Sequence, residues 1–445
     1  MTLKLPMMAL AGFVALGMVP SVAAAADTAA EQFRDQFLNG ELTWDDVSAR
    51  ARQEGEVNWF HWGGSEQLNS WIEQVAAPEM KKLGVTLKTT RLAGTREAVD
   101  LVLTEKQAGR GVGEGSVDLI WLNGDNFYTL SSQDALFGSF AEKLPQSRNF
   151  EFDSTDPRSQ LNLSDFGTPT GGQEMPWSGE QYICYADMAR LPRQEAPADF
   201  EELEGWLKEN PGRFTYVKPP HYIGNTFVQT VLYAFNPSGR GYQDFQKPIE
   251  EFTPEALAEI MLPGFEYLKR IEPHLLPVYP QNQQANQALY NNGEVDLACE
   301  FGLYLVDSYR KTGAFSETTE TLLFPNTGMI KNKNFLTIPV NAPHPAAALV
   351  FADLMSRFDM QASKLEKIGY PLGIDRWKLS KQQQETANSV APSHFGVTAE
   401  DLAAVAVPDT NASLVKVIER VWQAYIERKS DKPFPEIVLN AMKAG

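Results

Sequence analysis

Apolar residues recur along this chain in two alternating rhythms. Short β-like runs end in glycine or polar loops, and each is followed by a stretch whose apolar positions lie three and four apart. Residues 56–64 (EVNWFHWGG) predict a strand, and Leu68, Trp71, Ile72 and Val75 the helix after it. Residues 84–94 predict a second strand, residues 95–110 a helix with Thr95 as its cap, and residues 116–126 (SVDLIWLNGDN) a buried strand. This alternation implies an α/β class with parallel strands and right-handed crossovers, and places ligands beyond the carboxyl ends of the strands. The rule selects His61, Trp62, Gly63 and Gly64 after the first strand, and Asn123, Gly124, Asp125 and Asn126 after the third.

The second half continues the pattern with more helix. An amphipathic helix is predicted from Pro197 to Gly212, then a strand broken at Pro219 and Pro220, with a helix opening at Asn225 or Thr226. Such a helix start points free backbone N–H groups at the space before it. Residues 281–313 read as helix, strand, helix, with Glu300 at the carboxyl end of the strand. Two strands and a helix over 345–357 follow, with a break at Pro371, and Leu414, Val417, Ile418, Val421, Trp422 and Tyr425 form one face of a helix capped by Asn411 or Ser413.

Between the halves lies residues 168–187, TPTGGQEMPWSGEQYICYAD, where Pro169, Gly171, Gly172, Pro176 and Gly179 oppose regular structure. We read it as a crossing between two lobes that lines the space between them with Trp177, Gly179 and Glu180. Gly171, Gly172 and Gly179 are the expected hinge. A surface loop carrying a stray tryptophan is the plainer alternative.

Composition narrows the function. The chain opens with Lys4, an apolar run and a small-residue stretch ending near Ala26, the pattern of a cleavable leader over residues 1–26 with no following cysteine for lipid attachment. A net charge of −18 disfavours nucleic acid and anionic membrane as partners. Cys184 and Cys299 are the only cysteines, both in strand-like runs; two separately buried thiols are expected over a bridge, and neither they nor the five histidines show a metal spacing. No cofactor is expected.

The order of leader, WFHWGG, SVDLIWLNGDNF, the crossing PWSGEQ and the late segment KNFLTIPVNAPHPAAALVFADLMSRFDMQ resembles the family 1 extracellular solute-binding proteins of bacterial ABC importers, and within them the YnjB-like group. The resemblance implies a two-lobed, type II Venus-flytrap fold in the periplasm, acting as a monomer that closes on a small-molecule ligand and delivers it to an inner-membrane permease. The expected division is an N-terminal helical extension over 27–54, lobe 1 from 55–176 and 326–369, and lobe 2 from 177–325 and 370–445.

The ligand site expected in the cleft comprises Trp62, Gly63, Gly64, Asn123, Gly124, Asp125, Trp177, Gly179, Glu180, Tyr222, Asn225, Thr226 and Glu300. Aromatic walls with a few orienting polar groups suit a small molecule, and the carboxylates favour a cationic or neutral polar ligand over an anion. Tyr304, at helical spacing from Phe301, is expected in the core, and His61 and His221 as hydrogen-bonded structural residues. Two readings compete: a secreted hydrolase using Glu180 and Glu300, against which G-x-S-x-G is absent, and an iron-binding member of the same fold, against which no adjacent tyrosine pair occurs.

Overall fold

A computed structural model describes residues 22–325 and 327–443. Most of the predicted leader and Asn326, where the return to lobe 1 is expected to begin, lie outside the described residues; residues 22–26 open the helix Val22–Leu38.

Strands β1 (Glu56–Trp62), β2 (Thr86–Leu92) and β3 (Leu119–Leu122) pair in parallel in the order β2-β1-β3, as the strand and helix rhythm requires. A two-stranded hairpin, β4 (Ser164–Asp165) and β5 (Thr168–Pro169), precedes the long β6 (Glu174–Asp187). Then come β7 (Leu297–Phe301), β8 (Thr319–Leu322), β9 (Met329–Thr337) and the short β10 (Ala406–Val407).

β6 and β9 tie the molecule together. β9 runs antiparallel to β3 over Phe335–Thr337, and to β6 from Glu174 to Gln181. Past that point β6 pairs with β7 and β8, while the start of β9 pairs with β10. The two strands thus belong to both halves of one sheet. The expected irregular crossing is instead a continuous strand: pairing to β9 overrides the local bias of Pro176 and Gly179, and the register shift between Pro176 and Ser178 leaves Trp177 as a bulge. Gly171 and Gly172, with φ of 56° and 68°, make the turn before it.

The buried apolar side chains separate accordingly. One cluster packs Val57, Trp59, Trp71, Phe140, Trp177, Leu336, Leu349 and Phe351, and recruits Phe33, Phe37, Val47 and Ala51 from the N-terminal helices and Ile374 and Leu379 from beyond Pro371. A second packs Phe200, Phe227, Val231, Phe265, Leu268, Leu297, Leu414, Trp422 and Phe434, and two smaller clusters gather around Phe60, Val99 and Phe127 and around Tyr185, Tyr290 and Phe315. Thr43 caps the helix Trp44–Glu54 in a capping box with Asp46, and Asn411 caps Ala412–Trp422. Thr95 precedes Arg96–Gln107 without a capping hydrogen bond.

Two further expectations are corrected. The helix expected at Asn225 or Thr226 begins at Tyr222, because the His221 imidazole accepts the Ile223 N–H and serves as its N-cap. Cys184 and Cys299 form a disulfide rather than two separate thiols, because β6 and β7 set them directly opposite each other.

Candidate functional site

β1 ends at Trp62, and Gly63 and Gly64 let the chain fold back beneath the indole. A Cβ on Gly64 would meet the Trp62 ring at 2.3 Å, and one on Gly63 would meet Arg91 at 2.7 Å. Gly63 N–H donates to Leu92 O at 2.9 Å, bringing the ends of β1 and β2 together. Ser65 then caps the next helix. Facing this wall are His221 and Tyr222 and the segment from Gln281 into the helix Gln283–Asn291, capped by Asn282. Between the two walls lies a cavity of 580 Å³ lined by Trp62, Gly63, Gly64 and residues 91–93 on one side, and by His221, Tyr222 and residues 281–284 on the other.

Tyr222 is 45% exposed, while the protein packed around its hydroxyl, and then the Glu300 and Glu180 carboxyls, push that hydroxyl's pKa up. Its ring stacks on His221 at 4.6 Å, and its hydroxyl lies 3.4 Å from Gln283 Oε1. Gln284 Nε2 donates across the space to Gly64 O at 3.4 Å, and outside the lining residues Ser308 Oγ donates to Gln67 Oε1 at 3.3 Å.

Two acids stand in electrostatic reach of Tyr222. Glu300 is fully buried and accepts from Tyr185 at 2.6 Å and from Gln287 at 3.0 and 3.1 Å; burial raises its pKa to about 7. Glu180 accepts the Leu303 N–H at 2.8 Å and is also raised to about 7 by burial, with Lys364 opposing that shift.

The structure therefore gathers Trp62, Gly63, Gly64 and Tyr222 into one cavity, with Glu180 and Glu300 behind its tyrosine. It does not bring Trp177 there. Its bulge turns the indole inward, where it is fully buried between Trp121 at 4.9 Å, Trp59 at 5.6 Å and Tyr370 at 5.7 Å. Gly179 pairs with Lys333 in the strands themselves.

Asn123, Gly124, Asp125, Asn225 and Thr226 lie elsewhere. Asn123 bonds Asn334 at 2.9 Å, and Gly124 N–H bonds Asp165 at 2.5 Å. Asp125 pairs with Lys416 at 3.2 Å, Lys416 with Glu419 at 3.2 Å, and Glu419 accepts from Asn225 at 2.7 Å. Because the helix starts early, Thr226 lies within its first turns and bonds Tyr222 O.

Sequence reasoning missed Arg91, Leu92 and Ala93, which the carboxyl-end rule applied to β2 would have found. It also missed the amide run 281–284, whose signal is four carboxamides in a row at a helix start. Of the histidines, His61 is buried and bonds Trp62 O, whereas His221 lines the cavity. Tyr304 is buried and stacked on His394. Among the described residues no group of three or more His, Cys, Asp or Glu is placed to hold a metal ion.

Comparison with known proteins adds family and fold. The model of the family described as bacterial extracellular solute-binding protein matches residues 73–388. The protein YnjB of Escherichia coli (strain K12) is 31% identical over 389 residues, covering 85% of this chain and 92% of that protein. Among solved structures, an ABC transporter protein from Clostridium perfringens ATCC 13124 is similar with a TM-score of 0.56 at 14% identity, covering 84% of this chain and 99% of that one. The periplasmic binding protein AfuA from Actinobacillus pleuropneumoniae, with fructose-6-phosphate bound, is similar with a TM-score of 0.56 at 13% identity, over 84% and 99% of the two chains.

Proposed function

Since the chain belongs to the bacterial extracellular solute-binding proteins, we propose that it captures a small solute in the cleft between its lobes and hands it to the permease of an ABC importer. The observation that carries this is the cavity between the β1 and β2 loops and the Tyr222 and Gln281–Gln284 wall, with β6 and β9 as the strands joining the two sides. Residues 55–176 and 326–369 form the first lobe in this reading, and 177–325 with most of 370–445 the second. The helices of 27–54 and the stretch around Ile374 and Leu379 pack on the first. Trp62, Gly63, Gly64 and Tyr222 contact the solute, with Glu180 and Glu300 setting the electrostatics behind them.

Binding without turnover fits the family, and both acids are engaged by the chain itself, Glu180 by the Leu303 N–H and Glu300 by Tyr185 and Gln287. The leader-like N-terminus and the family support a periplasmic address, and no described helix is long and apolar enough to cross a membrane. A monomer that avoids nucleic acid fits the net charge of −18.

A thermal-shift screen of small solutes tests the reading, because a ligand that binds only the folded chain raises its melting temperature. The expected result is a solute whose stabilisation is lost in Tyr222→Ala. A stabilising solute indifferent to both Tyr222→Ala and Trp62→Ala would put the site elsewhere.

A further inference from the structure

We propose that the solute is neutral and polyhydroxylated, a sugar or polyol, lying between Trp62 and Tyr222 and hydrogen-bonded by the carboxamides of residues 281–284. This rests on reading the cavity as the binding site, and deepens it by naming the ligand's chemistry.

Charge decides first. Among the described residues lining the cavity, Arg91 alone is formally charged, and it is already paired, with Glu73 at 2.5 Å and Glu66 at 3.6 Å. His221 is neutral at neutral pH, since burial lowers its pKa to about 4. Its Nδ1 accepts the Ile223 N–H at 3.3 Å, which leaves Nε2–H as a donor. The two acids near Tyr222 do not line the cavity: Glu300 is buried and accepts from Tyr185 and Gln287, and Glu180 accepts the Leu303 N–H. An anion would find no unpaired cation here, and a polyamine no carboxylate among the lining side chains, so either would lose hydration without compensation.

The neutral groups match hydroxyls. A carboxamide offers donors and an acceptor side by side, and a hydroxyl needs both. Gln281 Nε2 is held by Tyr279 O, Asn282 Oδ1 by the Ala285 N–H and Gln284 Nε2 by Gly64 O. The opposite ends of these three amides, Gln281 Oε1, Asn282 Nδ2 and Gln284 Oε1, remain to meet a ligand; fixed at one end, they are already oriented. Trp62 and Tyr222 come from opposite walls and offer aromatic faces to the C–H surfaces of such a molecule. The cavity volume of 580 Å³ suits a compound of one or two rings.

The test is titration calorimetry on the native protein and on Trp62→Ala and Gln284→Ala. The probes are a panel of pentoses, hexoses and their alditols, with putrescine and fructose 6-phosphate as charged arms. The expected result is binding of a sugar or alditol with no proton exchanged between buffers of different ionisation enthalpy, weakened about tenfold or more in each variant. Tighter binding of putrescine or fructose 6-phosphate, weakened by Trp62→Ala, would overturn the ligand class while keeping the site. A bound sugar indifferent to both substitutions would overturn the site itself. Silence across every sugar and alditol would overturn the proposal as well.

Discussion

The Lys364 ammonium lies 4.6 Å from the centroid of the Trp177 indole and donates to the Trp177 carbonyl at 2.7 Å. Tyr370 completes the enclosure, stacked on Trp177 at 5.7 Å with its own centroid 5.1 Å from the same ammonium. Trp177, expected on the wall of the ligand cleft, is thus packed against an amine supplied by the chain itself. Burial pulls the Lys364 pKa well down, and the facing Glu180 acts against that shift.

Trp177→Ala should therefore act on stability. Emptying a fully buried indole site costs about 3–5 kcal/mol, and melting temperature should fall steeply. Trp62, half-buried at the cavity, should behave oppositely, with Trp62→Ala losing about 1.4 kcal/mol or more of solute affinity, roughly tenfold, and little stability. Paired melting and binding measurements on the two variants read this directly; a stable Trp177→Ala with weakened binding would return Trp177 to the cleft.

The Cys184–Cys299 bridge spans 115 residues of sequence and joins the strand shared by both halves to β7, which carries Glu300. Closing so long a loop stabilises a fold by about 4–5 kcal/mol in the chain-entropy account. The double variant Cys184→Ala with Cys299→Ala should lose several kcal/mol, and reductant should lower the melting temperature of the native protein alone. Equal melting with and without reductant would mean that the thiols are not joined.

What the sequence disclosed and what it hid have physical reasons. β1, β2 and β3 carry their own signal, apolar runs closed by glycine or polar turns, so the rhythm located them and the carboxyl-end rule reached Trp62, Gly63 and Gly64. Trp177 failed because Pro176 and Gly179 argue locally for a loop, whereas the long-range partner β9 imposes a bulged strand that turns the indole inward. The start at Tyr222 was hidden because a histidine cap is unusual; Asp125 and Asn225 were singled out, but the Lys416 and Glu419 that engage them are nearly 200 residues or more away in sequence. The disulfide needed register, which spacing alone does not supply.

Protonation gives a further expectation. Asp409 is buried beside a small enclosed cavity lined by Asp165, Asn332 and Lys333, and burial raises its pKa to about 7. A carboxyl whose folded pKa lies above its unfolded value holds its proton longer in the folded state. Its contribution to stability is therefore full below the unfolded value near 4 and is lost as pH rises toward 7. The melting temperature of Asp409→Asn should fall less between pH 5 and pH 8 than that of the native chain; an identical slope would show that Asp409 is ionised throughout.

The last expectation concerns closure. Lys416, on the helix Ala412–Trp422, reaches Asp125 on the helix Asp125–Ser131, and the same ammonium holds Glu419, which accepts from Asn225. The bridge joins the helix whose Phe127 and Leu130 pack with Phe60, Val99 and Ile120 to the helix whose Leu414, Val417 and Trp422 pack with Phe227 and Phe265, and it touches no residue lining the cavity. If it forms only when the lobes are together, it adds to the closed population, and apparent affinity scales with that population. Lys416→Met should then enlarge the solute-free protein in small-angle scattering and weaken solute binding about two- to fivefold. Stability should change by less than about 1 kcal/mol, because a partly exposed ion pair is worth little to folding. High salt should weaken the native protein toward the variant and leave the variant unchanged. Unaltered scattering and affinity in Lys416→Met would mean that the bridge stands equally in open and closed forms and has no part in closure.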